Sequence, residues 1–150
     1  MKSTKFDILV ELHVPSFSPV KTFYGMLGFK KVWERPPKKR QGYLVMRRGQ
    51  SILGFYCGNN EVYQHSYFKK YPKRTVRSYG VELAIPVLGI ESYYKKLCTK
   101  LPNKYFVQPL KMKAWGNKDF RLVDPFGFYL RINEPINILK KPKYTKNKKG

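Results

Sequence analysis

The stretch AWGNKDFRLVDPFGFYLRI, residues 114–132, reads as two strands joined by a tight turn. At the turn, Asp124-Pro125-Phe126-Gly127, the proline holds φ at about −65°, as a β-turn requires, and the glycine stands where a positive φ is needed. Phe120 and Leu122, together with Trp115, supply one apolar face before the turn. After it, Phe128, Leu130 and Ile132 alternate with Tyr129, Arg131 and Asn133, which is the period of a half-buried strand.

Upstream, the chain repeats one unit. Residues 6–14 alternate as a strand, 19–26 form a short helix that Gly28 ends, and 30–34, 42–48 and 51–57 read as three strands. A polar, aromatic bridge over 58–78 follows. Strand 79–85, helix 90–101 and strand 105–110 then lead into the hairpin. The order β-α-β-β-β thus occurs twice, about seventy residues apart, as in a duplicated module. One hundred and fifty residues, 42% hydrophobic and 16% aromatic, suffice for a core without metal or disulfide support.

Three motifs resemble the vicinal oxygen chelate superfamily, which holds glyoxalase I, extradiol dioxygenases, fosfomycin-inactivating enzymes and bleomycin-resistance proteins. They are the Trp-Gly, Asp-Phe, Asp-Pro-x-Gly order of the hairpin, Phe23-Tyr24-x-x-Leu27-Gly28-Phe29, and Gly80-Val81-Glu82-Leu83-Ala84-Ile85. The hairpin is most similar to the bleomycin-resistance branch. The resemblance covers residues 6–135 and implies an α+β fold, the glyoxalase/bleomycin-resistance fold. In it, two tandem βαβββ modules form a curved, half-barrel sheet around a cleft. The expected organisation is a single domain over 1–135, with modules at about 6–57 and 79–134, and a basic, flexible tail over 136–150.

The superfamily places metal ligands on its first, fourth, fifth and eighth strands. By resemblance these positions fall on Leu9, near Gly54, on Glu82 and on Arg131; a slip of two residues on the first strand would substitute Glu11. Only Glu82 could bind a cation, and a divalent metal needs three or four convergent donors, so no metal or other cofactor is expected. His13 shares a strand face with Leu9 and Glu11 and fits three roles: a base, a ligand contact, or a satisfied core residue. His65 lies in the bridge. No Ser-His-Asp or Cys-His constellation and no phosphate-cradling glycine loop is readable. Catalytic residues are therefore not assigned.

The expected ligand-binding set is Glu11, His13, Glu82, Trp115, Tyr129 and Arg131, a few polar groups within an apolar surround, as small-ligand sites are built. An ion pair between Glu82 and Arg131 is the structural alternative for those two residues. Trp33 is expected in the core, and Cys57 and Cys98 as buried free thiols, which fits a reducing cytoplasm. No export signal or membrane span is readable.

With 31 Lys and Arg against 9 Asp and Glu, the formal net charge is +22. Basic clusters lie at 36–40, 69–77 and 95–104, and the tail LKKPKYTKNKKG, residues 139–150, carries no acid. Bleomycin-type glycopeptides are themselves cationic, so long-range repulsion opposes their capture. The resemblance implies a metal-free homodimer that sequesters an organic ligand at a subunit boundary, with the N-terminal segment exchanged between subunits. A neutral or anionic aromatic ligand suits the charge better than a glycopeptide antibiotic. Two other classes stay open: a glyoxalase- or dioxygenase-like metalloenzyme, and a basic nucleic-acid-associated protein. Weak association with nucleic acid or other polyanions is expected in any case.

Overall fold

The computed structural model describes residues 8–141. The expected start of the first strand at residues 6 and 7, the exchanged N-terminal segment and the tail beyond residue 141 lie outside the described residues. The chain divides into two compact units, Met1–Thr75 and Val76–Gly150.

In the first unit, β1 (Val10–Val14), α1 (Ser18–Met26), β2 (Lys30–Arg35), β3 (Gly42–Arg48) and β4 (Ser51–Cys57) build a four-stranded sheet in the order β1-β4-β3-β2. β1 runs parallel to β4, and the remaining pairs are antiparallel. α1 carries Val20, Phe23 and Tyr24, with Leu27 at its C-cap continuing the helical spacing; all four are buried, which gives a single apolar stripe. Leu12, Val14, Leu44, Met46, Leu53, Phe55 and Cys57 are buried with them, the alternate residues of β1, β3 and β4. Tyr24 packs on Phe55 with ring centroids 5.1 Å apart.

The second unit repeats this pattern. β5 (Leu83–Pro86), α2 (Ile90–Lys100), β6 (Phe106–Met112), β7 (Lys118–Val123) and β8 (Tyr129–Asn133) form a sheet in the order β5-β8-β7-β6, with β5 parallel to β8. Phe120, Leu122, Leu130 and Ile132 are fully buried, and Tyr94 of α2 meets Phe120 at 4.9 Å. The β7–β8 turn forms as its sequence requires. Gly127 has φ 93°, and Asp124 Oδ1 accepts the amide hydrogens of Phe126 and Phe128 at 2.8 and 2.9 Å. The repeated order, two sheets that each pair a parallel edge strand with an antiparallel meander, is the α+β architecture expected.

Several expectations need correction. Strand β5 begins at Leu83 rather than at residue 79, because the chain turns at Ser78–Val81, where the Val81 amide donates to the Ser78 carbonyl at 2.9 Å. Trp115 does not extend the apolar face of β7. It lies in the β6–β7 turn, half-buried, where the Lys113 amide donates to the Asn117 carbonyl. Trp33 is not core: it stands on the edge strand β2 and is 47% exposed. Cys57 is buried as expected, whereas Cys98, next to the buried Leu97 on α2, is exposed. Among the described residues no helix is long and apolar enough to cross a membrane.

Candidate functional site

Each sheet buries one face under its helix and leaves the other for polar side chains. In the first unit the strand registers put Glu11 beside Gly54 and Val45, and His13 beside Tyr56 and Tyr43. Residue 54 has no side chain, so the Tyr43 phenol lies across it. A Cβ there would come within 2.3 Å of the Tyr43 hydroxyl oxygen. From this position Tyr43 donates a hydrogen bond to Glu11 Oε2 at 2.8 Å. Trp33 stacks on the Tyr43 ring, centroids 5.5 Å apart and planes 22° from parallel.

On the other side of Glu11, His13 Nε2 sits 3.2 Å from Oε1. The His13 ring is enclosed by Tyr56, His65 and Phe68 at 5.1, 5.0 and 5.3 Å. His65 thus joins His13, although 52 positions separate them in the sequence. His65 Nδ1 accepts the amide hydrogens of Tyr67 and Phe68 at 3.1 and 3.2 Å, which leaves the ring proton of the neutral imidazole on Nε2. Burial first, then the hydrogen bond and charge of Glu11, push the Tyr43 phenol from its ordinary 10 up to about 12. Tyr43 is therefore a neutral donor at physiological pH, unsuited to act as a base.

The polar face of the second unit's sheet is a charge network. Arg121 places Nε and Nη2 each 3.2 Å from the two oxygens of Asp119, and Nη1 2.6 Å from Glu82 Oε2. Lys113 Nζ lies 3.4 Å from Asp119. Asp119 is fully buried and Arg121 nearly so. Burial alone would pull the guanidinium down, but the hydrogen bonds and charge of Asp119, with the charges of Glu82 and Tyr129, hold it above its ordinary value. Arg131 Nε lies 3.2 Å from Glu82 Oε1 but off the line of its N–H, so this is an ion pair without a hydrogen bond. The anticipated Glu82–Arg131 pair exists, and Arg121 shares its carboxylate.

Of the expected set, Glu11 and His13 come together in the first unit, and Glu82, Tyr129 and Arg131 in the second. Trp115 belongs to neither group of strand residues. The sequence reading missed Tyr43, Tyr56, Trp33 and Phe68. It also missed Asp119 and Arg121, although their alternation with Phe120 and Leu122 could have flagged them. The positions implied for metal ligands do not fit a metal. In register, Gly54 pairs with Glu11 rather than Leu9, and Arg131 with Ala84 rather than Glu82. Gly54 has no donor, and Arg131 brings a positive charge. Among the described residues no three His, Cys, Asp or Glu side chains gather into a metal-binding group.

No protein-family model matches the chain, and no curated protein does. Solved structures do match. A bleomycin resistance determinant encoded on the transposon Tn5 superposes with a TM-score of 0.59 at 19% identity, covering 89% of this chain and all of that one. A glyoxalase family protein from Enterococcus faecalis gives 0.62 at 23% identity, over 87% and 98% of the two chains. A bleomycin-binding protein complexed with bleomycin gives 0.57 at 18%, over 88% and 100%. With two βαβββ units of identical strand order and these matches along both, the chain has the glyoxalase/bleomycin-resistance fold.

Proposed function

We propose that the protein is a cytoplasmic, metal-free binder of an organic molecule with a flat aromatic part, working as a homodimer in the manner of the bleomycin-resistance branch. The observation that carries this reading is the open face of the first unit. There a half-exposed Trp33–Tyr43 stack and the His13, Tyr56 and Phe68 rings flank a single carboxylate, Glu11. Aromatic surface around a few fixed polar groups is the usual build of a small-ligand site. Preformed stacking and hydrogen bonding hold the side chains before any ligand arrives, which reduces the entropy lost on binding. Glu82, Tyr129 and Arg131 form the second candidate set, beside the Asp119–Arg121 pair of the other unit. Trp115, half-buried in the β6–β7 turn, stands apart from both sets.

Two structural neighbours are, by name, a bleomycin resistance determinant and a bleomycin-binding protein, so bleomycin is the first compound to test. The net charge of +22 opposes a cationic drug at long range, and added salt weakens that opposition. The two tryptophans make the assay direct: in Trp115→Phe protein only Trp33 reports. Titration with metal-free bleomycin at physiological salt is expected to change Trp33 fluorescence saturably, near one ligand per chain, with tighter binding as salt rises. A flat response from folded protein would remove the drug from the proposal and leave neutral or anionic aromatic compounds.

A further inference from the structure

A second basic, aromatic surface of the first unit adjoins that site at Phe68. Residues 62–75 contain no Asp or Glu and four Lys or Arg, with tyrosines at 63, 67 and 71. Two short 3-10 turns, Asn60–Gln64 and Phe68–Lys70, carry part of this stretch. The backbone is fixed: the Lys69 amide donates to the His65 carbonyl at 2.9 Å, Tyr71 to Phe68 at 3.0 Å, and Thr75 to Pro72 at 2.9 Å. Tyr67 and Tyr71 meet edge-on with centroids 6.2 Å apart, and at 55% and 46% exposure each keeps part of its ring toward solvent.

Between those rings stands Lys70, its ammonium 3.9 Å from the Tyr67 centroid and 5.3 Å from that of Tyr71. Lys73 repeats the arrangement 4.8 Å above Tyr63. A cation–π contact positions an ammonium without neutralising it. The surface therefore offers fixed positive charges directly beside exposed aromatic planes.

We propose that residues 63–74 form a docking surface for single-stranded nucleic acid, in which Tyr67 and Tyr71 stack on unpaired bases while Lys69, Lys70 and Lys73 contact phosphates. Charge alone would suit any polyanion, but the rings select among them. A duplex hides its base faces, and heparin or an acidic peptide has no planar group to place on a tyrosine, whereas every unpaired base has one. Stacking contacts of this kind tolerate any sequence, so no base preference is required.

The test is fluorescence anisotropy with a labelled single-stranded oligothymidine, with heparin as the competing polyanion. Tyr67→Ala/Tyr71→Ala protein is expected to bind the oligonucleotide at least about 25-fold more weakly, roughly fivefold per ring at the low end of measured stacking contributions. Its affinity for heparin stays unchanged. The Tyr67→Phe/Tyr71→Phe protein keeps both rings and is expected to bind normally. Lys70→Gln is expected to flatten the salt dependence by about 0.7 in the log–log slope, one phosphate contact on a single strand. Absence of oligonucleotide binding, equal affinity of the double alanine variant, or a parallel loss for heparin would each overturn the proposal. Neither tyrosine belongs to the Trp33–Tyr43–Glu11 site, so failure here leaves that site's test unaffected.

Discussion

Asp119→Asn is expected to destabilise the protein by roughly 3–5 kcal/mol, the cost of breaking a buried ion pair by removing one partner. Asp119 is fully buried and faces two cations, Arg121 on both of its oxygens and Lys113 on one. Without its charge, a nearly buried guanidinium and a nearly buried ammonium lose their main counterion. Glu82 still faces Arg121, which places the effect toward the lower end. At about 2–4 °C per kcal/mol for a chain of this size, the midpoint of thermal unfolding falls by roughly 6–20 °C. The double variant Asp119→Leu/Arg121→Met removes the Arg121–Asp119 pair but leaves Lys113 without its carboxylate, and is expected to recover part of the loss. Calorimetry of the three proteins measures both outcomes. An Asp119→Asn protein within about 1 kcal/mol of the parent would mean that the network on β7 is solvated, contrary to its burial.

Gly54→Ala is expected to lower stability modestly and to dismantle the candidate site. The new Cβ meets the hydroxyl oxygen and Cζ of Tyr43 at 2.3 and 3.0 Å, and the phenol, being the far end of a flexible side chain, swings away. The alanine itself favours the strand by about 0.5–1 kcal/mol over glycine, which offsets part of the disturbance. Tyr43 then loses both its hydrogen bond to Glu11 and its stack on Trp33. Aromatic-ligand affinity is expected to fall at least tenfold, about 1.4 kcal/mol. The phenol should also titrate near 10 instead of about 12. Because the folded value is the raised one, its contribution to stability is complete below pH 10 and disappears as pH rises through 12. The parent therefore loses that contribution in this alkaline window, and the variant has none to lose there. Carbon-13 NMR of labelled tyrosine follows the titration; an unshifted Tyr43 would refute the arrangement.

Much of the fold was legible because its signals are local. Strands 42–48 and 51–57 fall where alternation placed them, with Gly49 at φ 57° between them. The Asp124–Gly127 turn follows from proline and glycine geometry alone. The candidate site was less legible because it depends on pairing between distant strands. Nothing near Gly54 announces that a tyrosine eleven positions earlier needs that space to reach Glu11. Asp119 and Arg121 alternate with Phe120 and Leu122, a pattern that sets them on one face of β7 without telling a solvated face from a buried ion pair; their mutual pairing is what permits burial. Trp33 misled in the opposite sense, since bulk and apolarity suggested the core while β2 is an edge strand. His65 joined His13 only through the fold of the bridge, which no periodicity reveals.

The central claim is that aromatic small molecules bind on the face of Trp33, Tyr43 and Glu11. It is tested most directly by two-dimensional NMR of isotope-labelled protein, titrated with metal-free bleomycin and a panel of neutral and anionic aromatic fragments. The Trp33 indole signal and the tyrosine and histidine ring signals of residues 43, 56 and 13 are expected to shift saturably with those compounds that bind. The same compounds should leave the Gly54→Ala protein largely unperturbed. Shifts confined to other parts of the chain, or equal shifts in both proteins, would contradict the account.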